Sequence, residues 1–191
     1  MRRLLVAVAM LGVVGLAGFL AVRAEQPGWW VRLWYPLDYG SVISGNAHLY
    51  HLDPALVAAV VYQESHFDPH ARSAAGAVGL MQLLPDTARG IALRTGGSHF
   101  DPKTDLLDPD LNVRYGCWYL NHLRQKYSAY SNGPELALAA FNAGQGNVDA
   151  WIAATPAGRP VPIKFAETRA YVADVERLER LYRKAYGDQL G

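Results

Sequence analysis

The sequence has few of the groups that build covalent or metal-based scaffolds. Cys117 is the only cysteine in 191 residues, which excludes an intrachain disulfide, a cysteine-rich metal site and a CxxC redox motif. The six histidines are scattered, and none belongs to an HExxH pattern or to another convincing ligand set. We therefore expect neither a metal nor a cofactor.

An excess of charge of one sign is also missing. The chain has 18 Lys and Arg against 17 Asp and Glu, for a formal net charge of +1. No basic run interleaved with aromatic residues occurs, so nucleic acid is not an expected partner. Apolar residues make up 51% of the chain and charged residues 18%, which is enough to build one compact domain with a sizeable core.

One long apolar run stands at the N-terminus. Leu4–Val22 contains no charged residue and follows Arg2 and Arg3. As a helix this run would be roughly 28 Å long, close to the thickness of a bilayer's hydrocarbon core. The charges at its start predict a cytoplasmic N-terminus and an extracytoplasmic domain.

The run has two interpretations. It exceeds the usual length of a secretory signal and lacks a clean A-x-A site, which favours a retained single-pass anchor over a cleaved signal of a secreted protein. We accordingly predict a signal-anchor or transmembrane helix at 1–23. Residues 24–35 are predicted to be a juxtamembrane linker, because Trp29, Trp30, Trp34 and Tyr35 suit the headgroup region. Trp34 and Tyr35 suit the domain core nearly as well.

The rest of the chain, 36–191, is predicted to be all-α. Asp53-Pro54 and Asp108-Pro109 are typical helix starts, and no stretch shows sustained period-two alternation. The predicted helices cover 39–50, 54–65, 85–94, 108–127, 135–143, 146–154 and 167–186.

Glu64 is the strongest candidate for acid/base chemistry. It lies at the C-terminal end of an apolar helix that contains Leu56–Val61. Burial disfavours the charged form of a carboxyl, and the negative end of the helix dipole acts in the same direction. Both effects predict a raised pKa, which suits a general acid at neutral pH.

Three further stretches could bind a neutral polar ligand. The glycines and small residues of 73–79 would let backbone approach closely, and Gln82 offers amide donors and an acceptor. Phe141-Asn142 places an amide beside an aromatic ring at a helix end. Glu167 and Tyr171 are four residues apart and so share one helix face.

Five motifs occur in the order typical of one family. They are Glu64-Ser65, Gly79-Leu80-Met81-Gln82, Asn112-x-x-x-Gly116-x-x-Tyr119-Leu120, Ala140-Phe141-Asn142-Ala143-Gly144 and Glu167-Thr168-Arg169-x-Tyr171-Val172. Over roughly 36–186 the sequence resembles the catalytic domain of soluble-type lytic transglycosylases, which has a goose-type lysozyme-like fold. The resemblance implies that the glycan strands of peptidoglycan are the substrate. The bond cut would be the β-1,4 bond between N-acetylmuramic acid and N-acetylglucosamine.

The resemblance also implies roles for individual residues. Glu64 would be the catalytic acid/base. The residues that would line the glycan cleft are Ser73, Met81, Gln82, Tyr119, Phe141, Asn142, Glu167 and Tyr171. The family commonly has Tyr where this chain has Phe141, so stacking on a sugar is kept and a phenolic hydrogen bond is lost.

Only one carboxyl group is predicted to be a poised acid, which favours a substrate-assisted reaction with formation of 1,6-anhydromuramyl ends. Glu167 is instead expected to orient substrate or to pair with Lys164 or Arg169. Two alternatives stay open: a muramidase that hydrolyses the bond with water, and a membrane-tethered glycan-binding module with little turnover.

Overall fold

The computed structural model describes residues 2–97 and 99–191, without the side chains of residues 2–11. Its helices are α1 (Arg2–Glu25), α2 (Gly28–Trp34), α3 (Gly40–Leu49), α4 (Pro54–Ser65), α5 (Pro85–Thr95), a short 3₁₀ helix (Asp105–Leu107), α6 (Pro109–Lys126), α7 (Gly133–Ala143), α8 (Gln145–Ala153) and α9 (Ala166–Leu190). The described residues contain no β-strand, and two isolated bridges, Arg72–Val78 and Val78–Leu83, shape the loop between α4 and α5. The prediction of an all-α fold is confirmed.

Side-chain caps set the starts of the two helices that matter most for the site. Asp53 accepts a hydrogen bond of 2.7 Å from the amide of Ala55 at the start of α4. Asp108 accepts one of 2.8 Å from the amide of Leu111 at the start of α6. In both helices proline occupies the first position, where no amide hydrogen is needed. The two Asp-Pro starts therefore lie where the sequence predicts them.

The helices enclose two hydrophobic cores. In the larger core α4 packs against α9, and Val57–Val61 of α4 are fully buried. The smaller core contains Val78, Leu83, Ala88, Ile91, Ala92, Leu106 and Tyr115. Helix α6 contributes to both, with Tyr115 in the smaller core and Cys117 in the larger one. The molecule thus has two lobes that meet along α6.

The segment 24–35, predicted to be a linker, contains α2, and α2 packs against α9. Val31 is fully buried, and the guanidinium of Arg32 donates hydrogen bonds of 2.9 and 2.7 Å to the carbonyl of Ala185. Trp29 and Trp34 remain largely exposed. This stretch is therefore attached to the domain by the burial of Val31 in the larger core and by the hydrogen bonds from Arg32 to α9.

Helix α1 occupies the predicted membrane-spanning segment 1–23, of which Met1 and the side chains of residues 2–11 lie outside the described residues. Several large apolar side chains in its second half are exposed, namely Val13, Val14, Leu16, Phe19 and Leu20. Within the described part of the chain, no helix meets the length and apolarity needed to cross a membrane.

Candidate active site

Glu64 lies in the last turn of α4, where the backbone changes direction abruptly. His66 and Phe67 both adopt left-handed conformations, with φ of 52° and 64°. Such φ values are uncommon for residues other than glycine and concentrate at functional sites. The side chain of Phe67 is buried, which fixes this turn. The helix therefore ends at a fixed point, with Glu64 one residue before its last position.

The carboxyl group of Glu64 is mostly removed from water and has one described partner. The hydroxyl of Tyr171, on α9, donates a hydrogen bond of 2.7 Å to Oε1 of Glu64. Burial raises the pKa of Glu64 to about 7, while the hydrogen bond from Tyr171 acts in the opposite direction. Near neutral pH both the protonated and the ionised form of this carboxyl are therefore populated. The raised pKa agrees with the prediction made from the apolar helix.

Ser65 connects the end of α4 to the neighbouring loop. Its buried hydroxyl donates to the carbonyl of Leu80 at 2.8 Å and to that of Val61 at 3.1 Å. The hydroxyl is thereby used in holding the Gly79–Gln82 segment beside Glu64. This role explains why a serine follows the glutamate without being a nucleophile.

Asn112 holds the same loop from the other side. The residue is fully buried, and its amide nitrogen donates to the carbonyls of Val78 and Leu106, both at 2.9 Å. Its amide oxygen accepts from the backbone nitrogen of Met81 at 2.8 Å. The side chain is the one described partner of the Leu106 carbonyl and of the Met81 amide, and it adds a second bond to the Val78 carbonyl, which also accepts from the amide of Leu83.

Gly79 is required by this arrangement for two reasons. Its φ of 81° lies in the left-handed region, and a Cβ at this position would stand 2.2 Å from Nδ2 of Asn112 and 2.4 Å from the carbonyl oxygen of Leu106. Gly116 is constrained in a similar way, since a Cβ there would lie 2.1 Å from the sulfur of Met81. The glycines of two motifs are explained by close packing of the loop on α6.

Gln82 and Ser73 lie at opposite ends of the loop. The amide nitrogen of Gln82 donates to the carbonyls of Ala71 and Gly79, both at 3.0 Å, so only its oxygen is left for a ligand among the described contacts. Ser73 is exposed, and its hydroxyl accepts from the amide of Ala77 at 3.0 Å. Both residues shape the loop, with Ser73 exposed and Gln82 partly buried.

Met81 does not lie where the sequence predicts it. Its side chain was expected to line the cleft, but it is fully buried in the larger core and contacts the face of α6 at Gly116. Leu84, three residues later, is instead 44% exposed at the start of α5. The side chain of Met81 is buried because it packs against Gly116, which is distant in sequence. The residues next to Met81 in the sequence do not indicate this contact.

Tyr119 and Phe141 lie at the junction of the lobes. Their ring centroids are 5.6 Å apart, and both rings are partly buried against both hydrophobic cores. The amide nitrogen of Gln145, on α8, lies 3.4 Å from the hydroxyl of Tyr119. The two aromatic side chains therefore lie side by side where the two hydrophobic cores meet.

Asn142 and Glu167 are both exposed. The oxygen of Asn142 accepts a hydrogen bond of 2.9 Å from the hydroxyl of Thr168, a buried residue that sequence analysis missed as a contributor. Thr168 precedes Tyr171 by one helical turn, and this spacing on an apolar face is the signal that identifies it. Arg169 donates to backbone carbonyls of Ile163 and Lys164, and the described ion pairs include none between Glu167 and Arg169 or Lys164.

A series of contacts links these elements. Asn142 is bonded to Thr168 of α9, α9 presents Tyr171 to Glu64, and Ser65 is bonded to the loop that carries Gln82. The site therefore brings together one carboxyl of raised pKa, a phenol, two amides and an aromatic surface.

Comparison with known proteins places this site in a family. Residues 41–160 match the Transglycosylase SLT domain. The chain is 31% identical to the soluble lytic murein transglycosylase of Escherichia coli K12 over 182 residues, which is 89% of this chain and 27% of that protein. It is also 31% identical to the membrane-bound lytic murein transglycosylase C of Mannheimia succiniciproducens over 168 residues, which is 77% of this chain and 47% of that protein.

A solved structure has the same architecture. The X-ray structure of an inactive mutant of the lytic transglycosylase Slt from Pseudomonas aeruginosa gives a TM-score of 0.71 at 30% identity, over 94% of this chain and 30% of that one. This chain thus spans less than half the length of these relatives. The family match includes Glu64, the Gly79–Gln82 loop, Asn112 and Asn142, and the chain belongs to the transglycosylase SLT domain family with its all-helical, lysozyme-like fold.

Proposed function

We propose that this chain is a peptidoglycan lytic transglycosylase with Glu64 as its single general acid/base. The observation that carries the proposal is the carboxyl of Glu64, whose pKa of about 7 lets it both donate and accept a proton near neutral pH. Further support comes from the names of the relatives, which are lytic murein transglycosylases. In the Pseudomonas aeruginosa relative, the inactive mutant replaces a glutamate with glutamine.

In this proposal the two oxygens of Glu64 have different tasks. Because Oε1 accepts from the phenol, Oε2 would carry the exchangeable proton of the neutral acid. Oε2 would donate that proton to the glycosidic oxygen as the bond between N-acetylmuramic acid and N-acetylglucosamine breaks. The carbonyl of the muramyl 2-acetamido group would shield the anomeric carbon meanwhile, as in other substrate-assisted glycosidases.

The reaction closes without water. Glu64, now ionised, takes the proton of the muramyl C6 hydroxyl while O6 bonds to C1 and forms the 1,6-anhydro ring. The proton lost in the first step is regained in the second, so the enzyme returns to its starting state. No metal or second acidic group is needed for this balance.

The remaining site residues would hold the glycan. Tyr119 and Phe141 offer an aromatic face, and Asn142 is oriented for hydrogen bonding by Thr168. Glu167 is exposed and lies one turn before Tyr171 on α9, which suits it to orient a sugar hydroxyl. Ser73 and Gln82 would contribute polar oxygens from the loop of the smaller lobe.

Digestion of purified sacculi by wild type and Glu64→Gln tests the proposal. We expect the wild type to release muropeptides with 1,6-anhydromuramyl ends, detected by mass spectrometry, and the variant to release none while keeping its helical circular dichroism. Reducing muramyl ends would identify a hydrolytic muramidase instead. Binding to sacculi without any release would identify a glycan-binding module.

We also propose that the apolar segment Leu4–Val22 anchors the protein in the membrane, with the domain on the extracytoplasmic side. The lack of charge in this run, the preceding Arg2 and Arg3, and the exposed apolar side chains of α1 support it. The anchor would be 1–23, and the catalytic domain would lie within 36–191. Fractionation of cells that express the full chain or a form starting at residue 24 tests this, since only the full chain should sediment with membranes.

A further inference from the structure

A cavity adjoins the aromatic pair of the candidate site. It lies between α5 and α6, has a volume of about 190 Å³, and its lining includes Asp86, Arg94, Trp118, Tyr119 and His122. Tyr119 lines this cavity and also contacts Phe141, so the cavity and the aromatic pair share one side chain. Ligand pockets for drug-sized molecules usually measure 300–1,000 Å³, so this one suits a group the size of one amino acid better than a disaccharide.

One wall of the cavity contains two stacked rings with a cation beside them. The guanidinium of Arg94 lies 6.0 Å from the ring of Trp118, and the rings of Trp118 and His122 stack at 5.4 Å with an angle of 10°. Burial lowers the pKa of His122, and the nearby positive charges of Arg94 and Lys126 act in the same direction. His122 is therefore neutral at pH 7, which leaves the positive charge of this wall on Arg94.

The other charged groups around the cavity are already paired. Asp86 forms an ion pair with Arg89, and Lys126 forms one with Asp149. The ion pairs among the described residues include none for Arg94. A guanidinium that lies over an aromatic ring and has no carboxylate partner among the described ion pairs is well suited to bind a planar anion through two hydrogen bonds.

We infer that this cavity is a subsite for the stem peptide of peptidoglycan, in which Arg94 binds a peptide carboxylate and Trp118 contacts its apolar part. The inference rests on the proposed function, because the stem peptide is attached to the muramyl residues of that substrate. It assigns recognition of the peptide to the α5–α6 cavity and recognition of the sugars to the cleft beside it.

Binding measurements in the Glu64→Gln background test the inference, since that variant should not cleave the ligand. Two tetrasaccharide fragments of the glycan are compared by titration calorimetry, one carrying its stem peptides and one stripped of them by an amidase. We expect the stem-bearing fragment to bind about tenfold more tightly, and a further Arg94→Gln change to remove this difference. Arg124→Gln, the same change at a residue that lines a separate cavity, should preserve it.

The outcomes separate the two proposals. Equal affinity for the two fragments with Arg94 present, or a preference that survives Arg94→Gln, overturns the stem-peptide subsite and leaves the proposed function intact. Absence of binding to both fragments would contradict the proposed substrate itself.

Discussion

The hydroxyl of Tyr171 lies 2.7 Å from Oε1 of Glu64 and donates a hydrogen bond to it across the packed interface of α9 and α4. The bond opposes the effect of burial, and the balance of the two leaves the pKa of Glu64 at about 7. The aromatic residue therefore adjusts the acid as well as holding it in position.

Removal of that phenol should shift the pH profile of cleavage. As pH rises through about 7, the wild type should lose activity because Glu64 loses the proton that it donates. Tyr171→Phe removes an interaction that lowers the pKa of Glu64, so this decline should move to higher pH. The dependence of kcat/KM on pH measures it. The phenol of Tyr182 donates to the carbonyl of Pro36. Tyr182→Phe is therefore the matched control and should leave the pH profile unchanged.

Glu64 should also make folding stability depend on pH. Its pKa lies above the ordinary value of 4.5. Between pH 4.5 and about 7 the carboxyl is therefore mostly protonated in the folded state and mostly ionised in the unfolded state. The resulting stabilisation is complete below that interval and is lost as pH rises through it, by up to about 3 kcal/mol.

Glu64→Gln cannot ionise and should lack this loss. Urea unfolding at about pH 4 and about pH 8 should show the variant gaining stability relative to wild type at the higher pH. A difference between the two proteins that stays constant with pH would contradict the raised pKa.

Asn112 should matter more for stability than an ordinary asparagine. Asn112→Ala leaves the carbonyl of Leu106 and the amide of Met81 without a described partner, and we expect a loss of about 2 kcal/mol or more in the free energy of unfolding. Asn147→Ala removes a single exposed bond to the carbonyl of Ala143 and should cost less than about 1 kcal/mol. Chemical denaturation of both variants provides the comparison, and similar losses would show that Asn112 does not hold the loop.

Substitution of two glycines of the loop would distinguish the cost of backbone strain from the cost of steric overlap. Gly76 and Gly79 have φ of 84° and 81°, but a Cβ at Gly76 meets nothing within 4 Å whereas one at Gly79 would overlap Asn112. Gly76→Ala should cost about 1–2 kcal/mol for the left-handed conformation alone. Gly79→Ala should cost at least about 2 kcal/mol more and should reduce glycan cleavage, because the loop that carries Gln82 must move. Thermal unfolding and sacculus digestion would measure the two effects, and equal losses would contradict the overlap.

The sequence predicts those parts of the molecule that depend on local rules. The starts of α4 and α6 follow from Asp-Pro pairs, because an N-cap and a first-turn proline act within a few residues. The direction of the pKa shift of Glu64 is also predicted, because a helix that is apolar nearly all round indicates burial, and burial is the largest cause of the shift in the structure. The helix starts need no knowledge of which helix lies beside which, whereas the value of the pKa also depends on Tyr171 of α9.

Contacts between distant segments account for the rest. The inward position of Met81 depends on Gly116, and the three hydrogen bonds of Asn112 depend on where the 3₁₀ helix and the loop meet α6. The attachment of α2 to α9 similarly depends on Ala185, near the end of the chain. Hydrophobic periodicity does not predict these contacts. The motifs include Met81, Asn112 and Gly116, but they do not indicate which residues these contact.

The path of α6 through both hydrophobic cores has a mechanical consequence. Tyr115 is fixed in one core and Cys117 in the other, so any hinge motion between the lobes would have to bend a continuous helix at Gly116, where the sulfur of Met81 fills the available space. We therefore expect α6 to hold the two lobes at a fixed separation. Adjustment to a bound ligand would then be confined to side chains and to the loop that contains Gly79.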